Sequence, residues 1–164
     1  MKVRYSMSRF QFLAIACFSW LWIAPSGLAN EDPKDEAIRK DREQIAGTWT
    51  VVELVVQGNK AKEEDARRLT VENAKDGTWK LFVAGKEICR GTSTIDPVKK
   101  PKTLDFTITE GENPGDKFVA IYELGDIKRK MCFAPSSQKR PAAFESPTGS
   151  EQILVHFERT KKPD

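Results

Sequence analysis

From Gly47 onward the apolar positions recur every second residue, in short runs separated by turn-forming residues. That period is the signature of half-buried β-strands. The first run, Thr48 to Val56, is rich in Val and Thr and stops at Gly58-Asn59. Leu69 to Glu72 leads into Lys75-Asp76-Gly77, and Asp-Gly signals a hairpin because both residues tolerate positive φ. Thr78 to Val83 meets Ala84-Gly85-Lys86, Glu87 to Ile95 meets Asp96-Pro97, and Thr103 to Thr109 meets Gly111 to Gly115. Lys117 to Leu124 turns at Gly125-Asp126, Ile127 to Ala134 runs into a longer loop, and Gln152 to Arg159 comes last. Eight runs this close together leave no room for the long crossovers that parallel pairing needs, so the pattern predicts an antiparallel meander. Closure into a barrel removes the exposed edges of such a sheet. The expected fold is therefore all-β, a small antiparallel eight-stranded barrel. The polar segment Lys62 to Arg68 makes a short helix between strands one and two.

Alternation also assigns faces. Leu104, Phe106 and Ile108 share one side of the fifth strand, and Ile153, Val155 and Phe157 share one side of the last, with Arg159 at its end. His156 falls on the opposite side. On the first strand Trp49, Val51 and Val55 alternate with Thr48, Thr50, Val52 and Leu54, an ambiguous pattern because both sets are largely apolar.

The chain before Gly47 is different. Lys2, Arg4 and Arg9 precede an apolar run from Phe10 to Ala24 and then Pro25-Ser26-Gly27-Leu28-Ala29. A basic start, an apolar middle and small residues before a cleavage point predict a signal peptide spanning residues 1–29. The alternative, lipid attachment at Cys17, leaves Phe18 to Ala24 as an exposed apolar end. Cleavage after Ala29 leaves 135 residues, and removing three basic residues from 27 leaves 24 against 24 acids. A neutral domain of that size has one core and no electrostatic case for nucleic acid. No later run is long enough to span a bilayer as a helix. Residues 30–45 read as a charged lead-in, with Asp32-Pro33 as a helix start and a short frayed helix or tail as the expected form. The barrel is expected over 46–160, with a tail at 161–164. Cys89 and Cys132 are the two remaining cysteines; an exported protein permits their pairing, but they fall on strands that are not neighbours, which favours two separate thiols.

Gly47-Thr48-Trp49 opening the first strand and Arg159 ending the last resemble the lipocalin signature, in which the indole closes the bottom of the barrel beneath a stacked arginine. A closer likeness is to an uncharacterised family of exported lipocalin-like domains expanded in planctomycete bacteria. It is carried by Gly47-Thr48-Trp49, Lys99 to Asp105, Thr109-Glu110-Gly111, Ile121 to Leu124, Cys132 to Pro135, Lys139-Arg140-Pro141, Phe144 and Gly149-Ser150. These stretches spread over nearly the whole chain after residue 44. Two positions depart from the family pattern: Arg129 stands where an apolar residue is usual, and Cys89 is not part of it. The resemblance implies a fold and an export route, to periplasm, cell envelope or outside the cell, and implies no activity.

Catalytic constellations are not evident. His156 is the sole histidine, and a lone outward imidazole lacks the mutual geometry that a triad or a metal site needs. Phosphate loops, dinucleotide fingerprints and paired Cys-x-x-Cys motifs are missing from the sequence. No enzyme activity, cofactor or metal is expected. The predicted interior, lined by Trp49, Leu104, Phe106, Ile108, Tyr122, Phe133 and Phe157, suits one small apolar or amphiphilic ligand held by a monomer. Arg129 has the parity of Met131 and Phe133, the inward face, where it could meet a ligand carboxylate. A charge inside a barrel is costly and bulges concentrate at rims, so the expectation is that Arg129 stands at the rim or is turned outward. The competing function is a structural or protein-interaction domain of the cell envelope with a filled barrel. A third, inhibition of secreted hydrolases, rests only on the length of the Pro135 to Ser150 loop and its prolines.

Overall fold

The computed structural model describes residues 32–161; the expected signal peptide and most of the expected tail lie outside them. Helix α1 (Pro33–Ile45) is followed by β1 (Gly47–Val56), β2 (Asn59–Lys60), helix α2 (Glu63–Ala66), β3 (Leu69–Asn73), β4 (Thr78–Val83), β5 (Lys86–Asp96), β6 (Lys102–Gly111), β7 (Lys117–Leu124), β8 (Lys128–Pro135) and β9 (Ile153–Lys161). Neighbouring strands pair antiparallel in chain order from β3 to β9, β1 pairs with β3, and β9 returns to β1, closing an eight-stranded barrel. The two-residue β2 folds back on the end of β1, Val55 opposite Lys60. The eight expected runs are the eight barrel strands, and α2 is the short helix expected between the first two.

Turn chemistry places the strand ends. At the β3–β4 hairpin the Asp76 carboxylate accepts from the Thr78 amide and hydroxyl, both at 2.8 Å, while Gly77 takes a φ of 92°. At Gly91 on β5 the constraint is space, because a Cβ there would lie 1.9 Å from the Thr107 carbonyl oxygen and 2.7 Å from the Trp79 ring. The indole of Trp79 therefore packs where only a glycine leaves room.

The lead-in is a working part of the core, which corrects the expectation of a frayed helix or tail. Asp32 caps α1 by accepting from the Lys34 amide at 2.8 Å, and Pro33 occupies the first turn, where its missing N–H costs nothing. The helix then plugs one end of the barrel. Ile45 joins Ile95, Leu104, Ala120 and Tyr122 in a buried cluster, with Ile38 packed against it. Asp41, 7% exposed, accepts the Tyr122 hydroxyl at 2.7 Å and the Lys102 ammonium at 2.8 and 2.9 Å. Arg42 donates to the Ser93 hydroxyl at 2.9 Å and to the Ser93 carbonyl.

The last carbonyls of a helix have no partner within it. Here three consecutive ones are taken by the barrel. The Trp49 indole N–H donates to the Ile45 carbonyl at 2.7 Å, and Arg159 donates to the carbonyls of Ala46, at 2.7 Å, and Gln44. A third Arg159 bond reaches Asp126 in the β7–β8 turn at 3.2 Å. The same guanidinium lies 4.1 Å above the Trp49 ring centroid, a cation–π contact that also places positive charge at a helix C-terminus.

A bulge corrects one facing. Val51 pairs with Phe157, but Glu53 pairs with His156, so Val52 is an extra residue in β1. The bulge reverses the alternation: Leu54 packs with the interior cluster of Trp49, Val51, Val155 and Phe157, while Val55 packs outside with Ile121, Cys132 and Leu154. Phe144, from the long loop, covers that outer cluster. The loop is fastened to the barrel wall, since Arg140 donates to the Leu104 and Ala120 carbonyls at 3.1 and 2.7 Å and pairs with Asp105 at 2.6 Å.

Two predictions follow from the plug. Arg159→Lys keeps the charge but loses the planar fork, and should lower the unfolding free energy by about 2–3 kcal/mol in urea denaturation, the range for a few charge-assisted hydrogen bonds. Tyr122 is pushed above its ordinary value, near 10, chiefly by burial and then by its bond to Asp41. A raised folded-state value means that above about pH 10 the unfolded chain loses the phenolic proton while the folded one keeps it, so stability is full below that pH and falls above it. Unfolding measured from pH 9 to 11 should therefore show a shallower alkaline decline in Tyr122→Phe, by at most about 1.4 kcal/mol per pH step; equal slopes would contradict this.

Candidate functional site: a one-ended apolar cavity

Above the α1 plug the barrel is hollow. A cavity of about 380 Å³ lies among inward residues from every one of the eight barrel strands. Its strand-end residues opposite the plug include Val56, Leu69 and Ile153, and Val56 is 38% exposed. The cavity therefore meets solvent at the end away from α1.

One wall is aromatic. Phe106 stacks on Phe118, centroids 4.7 Å apart, and Phe133 and Trp79 meet Phe106 edge-on at 5.3 and 5.7 Å. These rings come from β4, β6, β7 and β8, so four strands are tied together by a surface whose one polar group, the Trp79 indole N–H, donates to the Thr92 carbonyl at 3.2 Å. The opposite wall is aliphatic, with Val51, Leu54 and Val155 among its residues.

Six of the residues proposed from sequence line this space: Leu104, Phe106, Ile108, Arg129, Phe133 and Phe157. Trp49 and Tyr122 point inward but stand below it. Trp49 is completely buried against α1 and the two nearby arginines, and Tyr122 is 2% exposed with its hydroxyl spent on Asp41. Both are plug residues, a correction that follows from α1 occupying the end they face. Trp79, Leu81, Phe118, Met131 and Val71 line the cavity as well. The parity of their strands was the available signal for them.

Arg129 corrects the expectation most. No bulge interrupts β8, and register runs unbroken from Lys128 opposite Glu158 to Phe133 opposite Ile153. The side chain stays inside, 7% exposed, with its guanidinium carbon 4.3 Å from the Phe157 centroid and 4.8 Å from that of Trp49. Its Nε has no hydrogen-bond partner among the described residues. Burial, with some repulsion from Arg159, pushes the group down to about 9, so it is still charged at neutral pH. A second orphaned donor, Asn73 Nδ2, belongs to a residue lining the same cavity.

Cys89 and Cys132 are free and buried. Cys89 lines the cavity, whereas the Cys132 thiol donates outward to the Glu145 carbonyl at 3.1 Å. They face opposite sides of the wall. Burial, above all, pushes both thiols up, which leaves them weakly reactive. His156 lies on the outer face in a groove of mixed polarity with Glu53, Glu123 and Lys130. Among the described residues no group of three His, Cys, Asp or Glu side chains is placed to hold a metal ion, and no helix is long and apolar enough to cross a membrane.

Fold and site together define a closed up-and-down β-barrel with one end plugged and an apolar chamber behind the other. No family model, curated protein or solved structure matches the chain.

The buried guanidinium makes a measurable demand. Its desolvation costs several kcal/mol, and two ring contacts return about 2 kcal/mol each at best. Arg129→Met should therefore stabilise the ligand-free protein by about 1–4 kcal/mol in chemical denaturation. A loss of stability would show that the ring contacts outweigh burial.

Proposed function

We propose that this chain is an exported lipocalin-like binding domain that holds one small, largely apolar or amphiphilic molecule in its barrel. The observation that carries the reading is the chamber itself. Its volume of about 380 Å³ falls within the roughly 300–1,000 Å³ of ligand sites, and its lining has their usual make-up of many apolar side chains and few polar ones. An eight-stranded barrel is just wide enough to be filled by its own side chains or to enclose one small ligand. The competing reading, an envelope interaction domain with a filled barrel, does not account for empty apolar volume. Such volume forfeits contacts that larger side chains would make. The lipocalin-like element is supported by the Trp49–Arg159 stack at 4.1 Å, and export by the basic-then-apolar pattern of residues 1–29.

The test uses a neutral apolar fluorophore such as phenylnaphthylamine. Saturable one-site binding to the purified protein is expected. Ile108→Trp, which puts a larger ring into the chamber, should weaken it by about tenfold or more, a free-energy change of roughly 1.4 kcal/mol. Circular dichroism should confirm that the variant is folded. No binding by the parent protein, or equal binding by the folded variant, would exclude the chamber as the site.

A further inference from the structure

We infer that the chamber selects a single-chain amphiphile with a monoanionic oxygen head group, a fatty carboxylate being the simplest, and binds it head first, with the head on Arg129 at the plugged end and the tail toward the mouth. This deepens the binding function proposed above and rests on it.

The other well-packed arginines show how this fold treats a guanidinium. Arg42 bonds to Ser93, Arg140 to two carbonyls and Asp105, and Arg159 to three carbonyls. Each is held by oxygen acceptors supplied by the fold. Arg129 is the most deeply placed of these and has aromatic faces for neighbours in place of oxygens. Guanidinium hydrogen bonding is directional and suits a two-oxygen anion. The ring contacts satisfy the charge in part but leave the buried Nε–H, which lies in the plane of the group, without an acceptor.

Position supplies the orientation. Arg129 is the second residue of β8 and Asn73 the last of β3, and both of those strand termini lie at the α1 end. The two orphaned donors therefore belong to the same end of one chamber, while residues toward its mouth, such as Leu69, Leu81 and Ile153, are apolar. A ligand with oxygens at one end and hydrocarbon along the rest satisfies both regions in a single orientation. Charge points the same way. Arg129 and Arg159 both lie within 4.8 Å of the Trp49 ring centroid, and Asp41, the buried acid of α1, is already engaged by Tyr122 and Lys102. An incoming anion meets uncompensated positive charge in a low-dielectric setting, where such an interaction is strong.

Isothermal titration with dodecanoate and dodecanol, at about pH 8 where the carboxylate is ionised and arginine remains charged, separates head group from tail. The parent protein should bind dodecanoate about ten- to a hundredfold more tightly than dodecanol, the discrimination expected of a charge-assisted bidentate contact. In Arg129→Met that ratio should collapse to about one, and in Arg129→Lys it should survive in part. The lysine variant keeps the test decisive if the methionine variant fails to fold. Equal affinities for the two ligands in the parent would overturn the head-first inference while leaving the binding function intact. A ratio unchanged in Arg129→Met would also overturn it, locating the head elsewhere. Failure of dodecanoate, dodecanol and phenylnaphthylamine alike would remove the binding function and the inference with it.

Discussion

The structure depends on one side chain being used twice. Arg159, at the end of the last strand, lies over the indole of Trp49 from the first strand and donates to the carbonyls that end α1. The contact with Trp49 joins the first and last strands of the barrel, and the hydrogen bonds fix the helix across its end. Lysine could supply the charge for either role but not the planar fork that fills both. The Trp49 indole N–H takes the intervening carbonyl, so three orphaned acceptors that a buried helix terminus could not leave unmet are all satisfied. Asp41 repeats the device one helical turn earlier. It collects a phenol from β7 and an ammonium from β6, and thereby fastens α1 to the side of the barrel that Arg159 does not reach.

Arg129 reads differently against that background. The fold shows no shortage of ways to satisfy a guanidinium, since backbone carbonyls, a serine and a carboxylate are all recruited for Arg42, Arg140 and Arg159. At Arg129 the neighbours are rings, and the cost of burying the charge is offset only in part. An unmet donor on the wall of a chamber differs from one in a packed core, because a molecule entering the chamber can supply the acceptor. Stability and binding are thus opposed at this residue, and an apolar side chain would relieve the first at the expense of the second.

Much of this was legible in the residues. Period-two alternation with Asp76-Gly77, Ala84-Gly85 and Gly125-Asp126 as punctuation marks out all eight barrel strands, and parity puts Leu104, Phe106, Ile108 and Phe157 inside. Three features were not legible, each for its own reason. The bulge at Val52 lies in a run whose two faces are equally apolar, so nothing in the pattern marks where the alternation reverses. The plugging role of α1 depends on partners 61 and 81 residues away, and Ile38 and Ile45 make too thin a stripe to announce it. Parity places Arg129 inward, and only the general cost of a buried charge speaks against that placement. That cost is real, and the protein bears it.

The hollow above the plug follows from where bulk is available. At the α1 end the helix contributes Ile45 and Asp41 from outside the strands, and Trp49 and Tyr122, the two largest fully buried side chains, rise to meet them. Among the described residues nothing comparable enters at the other end. Helix α2 has four residues and contributes Ala66 as its buried one. The aliphatic residues that face the aromatic wall, such as Val51, Leu54 and Val155, are too short to reach it across a barrel of eight strands. Filling the chamber would require either a longer second helix or larger inward side chains on strands that otherwise pair regularly. The same meander that closes the sheet without edges therefore leaves an apolar space at its unplugged end. The depth of that space is set by the layer of Trp49, Phe157 and Arg129, where the packed part of the barrel begins.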